Sequence, residues 1–240
     1  MTKTIATSSP SGVAPTQTVA VALAAIEQIQ SAPIGMPRLA VLSGAPGLGK
    51  TTALTRLAHP VDINAVYISC RSFETVKSLA ELVLRELGVN TKSRWSVPNM
   101  FDAACQAFGE HGRPLVVDEA DRIAEKGAIE LLRDLHDIGQ VPILLVGEEH
   151  LQRKLVRHHE RFHDRVLVWA KAMAADGADF DKLAQHYAHG LAIDAEAKKA
   201  VLMHTHGVAR RIVTALHNLS EYAKTRGVKT ITLADLKGVL

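Results

Sequence analysis

Cysteine is scarce: Cys70 and Cys105 are the only two in 240 residues. Two thiols exclude a disulfide framework and a four-thiolate zinc site, and they suit a reducing compartment. Aromatic residues make up 4% of the chain, too few for an aromatic-lined surface that binds single strands. No run reaches the roughly 18 apolar residues of a membrane span. The first residues carry one lysine but no apolar stretch of the signal-peptide kind. A soluble, cytoplasmic protein without a membrane partner is expected. Twelve histidines are present, yet neither His159 with His163 nor His204 with His206 has the acidic or thiolate companions that complete a metal site.

What the chain does have is enough apolar sequence for a core. Apolar residues make up 47% and charged residues 22%, which excludes a disordered chain. The net charge of +3 is unevenly spread. Residues 101–150 carry 11 acidic and 4 basic side chains, whereas 151–240 carry 15 basic and 9 acidic. Such segregation permits a polyanion partner without demanding one.

Short apolar runs alternate with helical periodicity. Strands are predicted at Leu39–Leu42, Ala65–Ser69, Pro114–Asp118, Val141–Val146 and Arg165–Val168. Helices are predicted over Val19–Gln30, from Lys50, and over Glu74–Leu87, Asn99–Phe108, Ala128–Ile138 and Glu149–His159. That rhythm predicts an α/β fold with a parallel sheet covered by helices on both faces. From about Ala174 only helical stripes remain, which predicts a small all-helical lid, with one last short helix near Ile231. The expected organisation is a flexible arm over 1–18, a nucleotide-binding domain over 19–172 and a lid over 173–240.

The segment Gly44-Ala45-Pro46-Gly47-Leu48-Gly49-Lys50-Thr51 fits G-x4-G-K-[ST] in full, between a predicted strand and a helix. Its glycines let backbone N–H groups approach phosphate oxygens, and the helix N-terminus beginning at Lys50, with Thr51 and Thr52, adds partial positive charge. Lys50 is placed to reach the β/γ-phosphates and the Thr51 hydroxyl to ligate Mg²⁺. Sixty-eight residues after Lys50, the apolar run Leu115-Val116-Val117 delivers Asp118 and Glu119 to the carboxyl edge of the sheet, where ligands bind in such folds. Asp118 suits the Mg²⁺ shell, and Glu119 suits orienting or deprotonating water. ATP and Mg²⁺ are the expected cofactors.

These motifs and the helical C-terminal part resemble the AAA+ ATPases, with a P-loop NTPase fold and lid. The resemblance implies a γ-phosphate-sensing role for Arg210, in the Gly207-Val208-Ala209-Arg210-Arg211 segment that opens a lid helix. It places Glu148 at the sensing position after the fourth strand, where an amide or hydroxyl is the common choice. It also implies an arginine that reaches a neighbour's nucleotide, Arg165 first and Arg161 second. Such a finger implies a homo-oligomer, either a ring or a helical filament.

Within AAA+, the Val-Gly-Glu-Glu-His-Leu strand exit, Phe162-His163-Asp164-Arg165-Val166 and the terminal Ile-Thr-Leu-Ala-Asp resemble the transposition ATPases of the phage Mu B and TnsC/TniB type. That similarity implies sequence-indifferent assembly on duplex DNA and activation of a transposase, in a bacterial host cell. Arg71, Lys92, Arg94 and Lys126 are the candidate phosphate contacts, since backbone contacts carry no base code. The alternatives are a helicase loader or initiator, an ATPase acting only on a protein partner, and a scaffold that barely hydrolyses.

Overall fold

The computed structural model describes residues 12–33, 35–91, 94–158 and 160–239, with backbone alone at 158, 160 and 161. Three of the apolar runs become central strands because both their faces are covered. These are β1 (Leu39–Ser43), β3 (Leu115–Asp118) and β4 (Ile143–Gly147), each buried throughout. The edges are β2 (Val66–Ser69) and β5 (Val166–Lys171). The order is β2-β3-β4-β1-β5, with every pairing parallel.

Register sets which side chains share a face. Leu39 pairs with Ile143 and Ala40 with Leu144, so alternate residues form rows on opposite sides. Leu39, Val41, Val117 and Leu145 enter one cluster. Ala40, Leu42, Val116 and Leu144 enter the other. The second cluster is covered by α1 (Gln17–Gln30) and α2 (Lys50–Ala58). The first is covered by α3 (Val76–Glu86), α4 (Val97–His111) and α5 (Ala128–Asp137). Leu151 and Leu155 of α6 (Leu151–His158) and Phe162 of α7 (Glu160–His163) complete it.

Of the boundaries that differ from the sequence expectation, two have clear reasons. α4 starts at Val97 rather than Asn99 because Ser96 and Asn99 form a capping box. Pro98 then sits in the first turn, where its missing N–H has no partner to lose. β5 extends to Lys171 because β1 remains available to it as far as Ser43.

Beyond Lys171 the chain builds a third cluster from α8 (Gly177–Tyr187), α9 (Ala195–Thr205) and α10 (Ala209–Arg226), including Phe180, Val201, Ile212 and Leu216. This lid also holds a parallel pairing of β6 (Ala192–Ile193) with β7 (Thr230–Ile231). The last short helix follows Ile231 as a 3-10 turn over Leu233–Gly238, opened by a capping box between Thr232 and Asp235. Residues 13–16, assigned to the flexible arm from sequence, are packed: Val13 joins the α1–α2 cluster and Ala14 the lid cluster. Residues 1–11 of that arm lie outside the described residues. Among the described residues no helix is long and apolar enough to cross a membrane.

Gly207 fixes the approach of the lid. It adopts φ +68, and its carbonyl accepts the Ala175 N–H at 2.8 Å. A Cβ there would lie 2.8 Å from the Ala175 carbonyl oxygen and 3.0 Å from Ala174 Cβ. Gly207→Ala therefore combines a left-handed penalty of about 1–3 kcal/mol with a backbone clash. Urea unfolding of this variant is expected to show that loss at an unchanged m-value, the mark of a destabilised but equally compact native state.

Candidate active site

The loop from Gly44 to Gly49 leaves β1 at the carboxyl edge of the sheet and ends where α2 begins. Gly47 and Gly49 take φ +82 and +86, conformations that any side chain would strain. The Lys50 ammonium folds back over the loop, donating to the Gly44 carbonyl at 2.6 Å and the Ala45 carbonyl at 2.9 Å. Burial lowers the Lys50 pKa, against the opposing pull of Asp118, Glu148, Glu119 and Asp121.

Asp118 is the most connected side chain of the site and is only 4% exposed. Its Oδ2 accepts from Thr51 Oγ1 at 3.1 Å and from the Tyr67 hydroxyl at 3.2 Å. Its Oδ1 accepts the Glu119 N–H at 2.9 Å. A buried carboxylate needs such partners, because an unpaired one would be costly to desolvate. Glu119 then turns the chain out of β3 in the left-handed region, at φ 55 and ψ 35. A non-glycine residue there carries about 1–3 kcal/mol of strain, of the kind that concentrates at functional sites. The Glu119 carboxylate pairs with Arg122 at 3.3 Å.

Glu148 follows the end of β4, and its N–H donates to Asp121 Oδ1 at 3.1 Å. The Asp121 carboxylate lies so close to the strand end that a Cβ on Gly147 would come within 2.5 Å of it. From the lid, the Arg210 N–H donates to the Gly47 carbonyl at 3.0 Å, and Val208 covers Gly47. The result is one pocket of about 400 Å³. Its phosphate-loop end is lined by Lys50, Thr51 and Thr52; Asp118, Glu119, Glu148 and Arg210 face the same space.

The remaining sequence candidates fall elsewhere. Gly44, Ala45 and Leu48 frame the loop from behind: Gly44 abuts Ala172, Ala45 receives Lys50, and Leu48 packs on the α2 side. Arg165 does not join the pocket. It precedes β5 at the amino edge of the sheet and pairs with Asp137 at 2.7 Å. Arg71 lies over the Phe73 ring at 5.9 Å, and Lys126 donates to the Ser72 carbonyl, so these two share the loop after β2. Arg94 is exposed in the connection before α4. Lys92 and His159 lie outside the described residues, as does the side chain of Arg161.

Sequence reasoning missed several contributors. Tyr67 and Asp121 act on the site through contacts with Asp118 and Glu148. Ala14, Thr16, Leu183, Tyr187, Val213 and Thr214 line the end of the pocket away from the phosphate loop. The exposed Phe73, at 73%, also drew no attention. Only Tyr67 carried a usable signal, as a polar-tipped residue midway along an apolar strand.

The Tyr67 phenol is pushed up to about 12 by burial and then by the Asp118 charge. Its folded value lies above the unfolded one, so its contribution to stability is complete below pH 10 and is lost as pH rises through about 12. At about pH 11 the native protein is expected to show less tyrosinate absorbance than the urea-unfolded chain. Tyr67→Phe should remove that part of the difference.

Comparison with known proteins agrees with this geometry. The AAA domain family matches residues 35–155. A curated relative, the replication factor C large subunit of Pyrobaculum islandicum, is 23% identical over 203 residues, 83% of this chain and 43% of its own. The chain thus spans less than half the length of that relative. Among solved structures, the Aeropyrum pernix ORC2 protein in its ADP form superposes with a TM-score of 0.67 at 16% identity, covering 93% of this chain and 67% of that one. The A. pernix ORC1 protein in complex with DNA gives 0.64 at 17%, covering 92% and 63%. The Thermotoga maritima RuvB Holliday junction branch migration motor gives 0.63 at 16%, covering 93% and 67%. The architecture is the AAA+ P-loop NTPase fold with a helical C-terminal part, and with half of its residues inside the family match the chain belongs to the AAA ATPase domain family.

Proposed function

We propose that this chain binds and hydrolyses ATP in the pocket between the sheet edge and the lid, and that nucleotide-driven self-assembly couples this cycle to duplex DNA. The observation that carries the reading is the convergence of Lys50, Thr51, Asp118, Glu119 and Arg210 on one pocket.

Each residue has a chemical task there. Lys50 exchanges the Gly44 and Ala45 carbonyls for phosphate oxygens, a stronger, charge-assisted pairing. Thr51 and Asp118 present a hydroxyl and a carboxylate oxygen 3.1 Å apart, a hard-oxygen pair that suits Mg²⁺. No described cluster of three or more His, Cys, Asp or Glu side chains could cage a metal, and Mg²⁺ in such sites takes its other ligands from phosphate and water. When bound, it would neutralise phosphate charge. Glu119 lines the pocket, and its carboxylate, once released from Arg122, can orient a water and accept its proton. Glu148 adds a carboxylate where phosphate repulsion is costly, which makes intrinsic turnover slow. Arg210 brings a compensating positive charge from the lid.

Arg165 is the proposed finger, acting on a neighbouring subunit's nucleotide after leaving Asp137. The partner class follows the relatives: one similar structure is in complex with DNA, one is a branch migration motor, and the curated relative is a replication factor. They favour an initiator- or loader-type DNA ATPase. The finer transposition reading, with a transposase as partner, rests on sequence texture alone, and a pull-down against a replicative helicase and a transposase separates the two. Arg71, Lys126 and Arg94 are the proposed phosphate contacts.

Duplex DNA binding measured with ATP, ADP or no nucleotide should require ATP and be indifferent to sequence. It should weaken steeply from about 50 to 200 mM salt and vanish in Lys50→Ala. ATP binding without DNA binding at low salt would remove the DNA part and leave a protein-directed ATPase. Glu119→Gln should bind ATP normally while hydrolysis falls on the order of a hundredfold. In assembled protein Arg165→Ala should cost on the order of a thousandfold in turnover, with nucleotide affinity kept. Equal losses of affinity and turnover would exclude a finger acting in trans.

A further inference from the structure

The end of the pocket away from the phosphate loop is built from two parts of the chain that are far apart in sequence. One wall is the segment before α1, with Ala14 and Thr16. The other is the lid, with Leu183 and Tyr187 of α8 and Val213 and Thr214 of α10. What joins them is Asp179. This carboxylate is 2% exposed, and it accepts the backbone N–H of Gln17 at both oxygens, at 2.9 and 3.1 Å. Lys182 donates to the same group at 3.2 Å.

The first residue of α1 has no intrahelical partner for its N–H. Thr16, at the N-cap position, makes no side-chain cap bond. Asp179 supplies the missing acceptor from the lid, 162 residues away. It also places a negative charge at the positive end of a 14-residue helix. The contact is reinforced nearby: the Gln17 amide donates to Asp176 at 2.9 Å, and Thr18 Oγ1 accepts the Met173 N–H at 3.4 Å. The adjacent Val13 and Ala14 divide between the body cluster and the lid cluster.

We infer that Asp179 is a positioning residue for the nucleoside end of ATP: it caps α1 in place of a local residue and so holds Ala14–Thr16 against the lid as one wall of the pocket. The inference rests on the proposed nucleotide reading of that pocket. It implies that the base-contacting wall is set by a carboxylate of the lid, whereas the phosphate loop is positioned by β1 and α2.

The test compares ATP with inorganic tripolyphosphate, which engages only the phosphate end, by calorimetric titration of the full chain. Asp179→Asn weakens the acceptor with little change of shape. Gln17→Pro removes the N–H altogether. Its ring suits the first helical position, Thr16 already has the extended φ −70 and ψ 166 that a following proline demands, and the ring carbon pushes the carboxylate aside. Gln17→Ala keeps the N–H and loses only the exposed amide. Asp179→Asn and Gln17→Pro should each weaken ATP by about tenfold with tripolyphosphate within about twofold. The double variant should be no weaker than either single one, and Gln17→Ala, which keeps the N–H but gives up the amide bond to Asp176, should lose no more than about twofold. Wild-type ATP affinity in Gln17→Pro would overturn the inference, as would equal losses for ATP and tripolyphosphate. Wild-type protein that binds neither ligand, or binding untouched in Lys50→Ala, would instead overturn the nucleotide reading and this inference with it.

Discussion

Parallel alignment of the strands is the constraint from which the site follows. When β1, β3 and β4 run the same way, the residues that leave their carboxyl ends emerge on one edge, so Gly44, Glu119 and Glu148 become neighbours though scattered over about a hundred positions. The strands can run parallel only because both faces are covered, α1 and α2 on one side and α3 to α5 on the other. Core packing and site chemistry are thus one arrangement. A residue such as Val117 buries its side chain in the core, and the strand it extends carries Asp118 to Thr51.

The pocket sets charges of both signs against one another. Lys50 is half-buried and its charge is disfavoured by desolvation, even with Asp118, Glu148, Glu119 and Asp121 around it. Its ammonium is satisfied by two loop carbonyls, neutral acceptors that a phosphate outcompetes. The carboxylates are paired in turn: Asp118 with three donors, Glu119 with Arg122, and Asp121 with the Glu148 N–H. Lys50, Asp118 and Glu119 thus each already have a partner they can exchange. Such a site needs little rearrangement of the fold to accept ligand, and the lid is already docked through the bond from Arg210 to Gly47.

Legibility in the sequence tracked locality. The phosphate loop could be read because its function lies in eight consecutive residues, and Asp118-Glu119 because an apolar strand announces where it ends. Periodicity gave the strand-helix rhythm and two helix starts to the residue, Lys50 and Ala128. The departures had long-range or cap-level causes: the capping box over Pro98 that lengthened α4, and the pairing that carried β5 to Lys171. Asp121 and Asp179 were opaque because each acts through a contact 27 or 162 residues away, and no periodicity encodes such a meeting. Residues 13–16 read as floppy from their Ser, Thr and Pro surroundings. They are ordered by two clusters contributed from elsewhere in the chain.

Arg165 shows how far the geometry of one subunit reaches. It stands at the amino edge of β5, outside the pocket lined by Lys50 and Asp118, so the nucleotide proposed for it is another subunit's. Within the chain its guanidinium pairs with Asp137. Burial raises that carboxyl, but the Arg165 and His136 hydrogen bonds outweigh the effect and hold it below its usual range. His136 is nearly buried, and its Nε2 accepts the Arg38 N–H at 3.0 Å, which ties the pair to the residue that precedes β1. If Arg165 acts as the proposed finger, it is not gained on assembly but exchanged, one carboxylate partner for a neighbour's phosphates. The free energy of docking is then the difference between two ion pairs, and that difference favours assembly only when a γ-phosphate offers more charge than Asp137 does. In the proposed assembly, dependence on the nucleotide state would follow from this exchange without any further moving part.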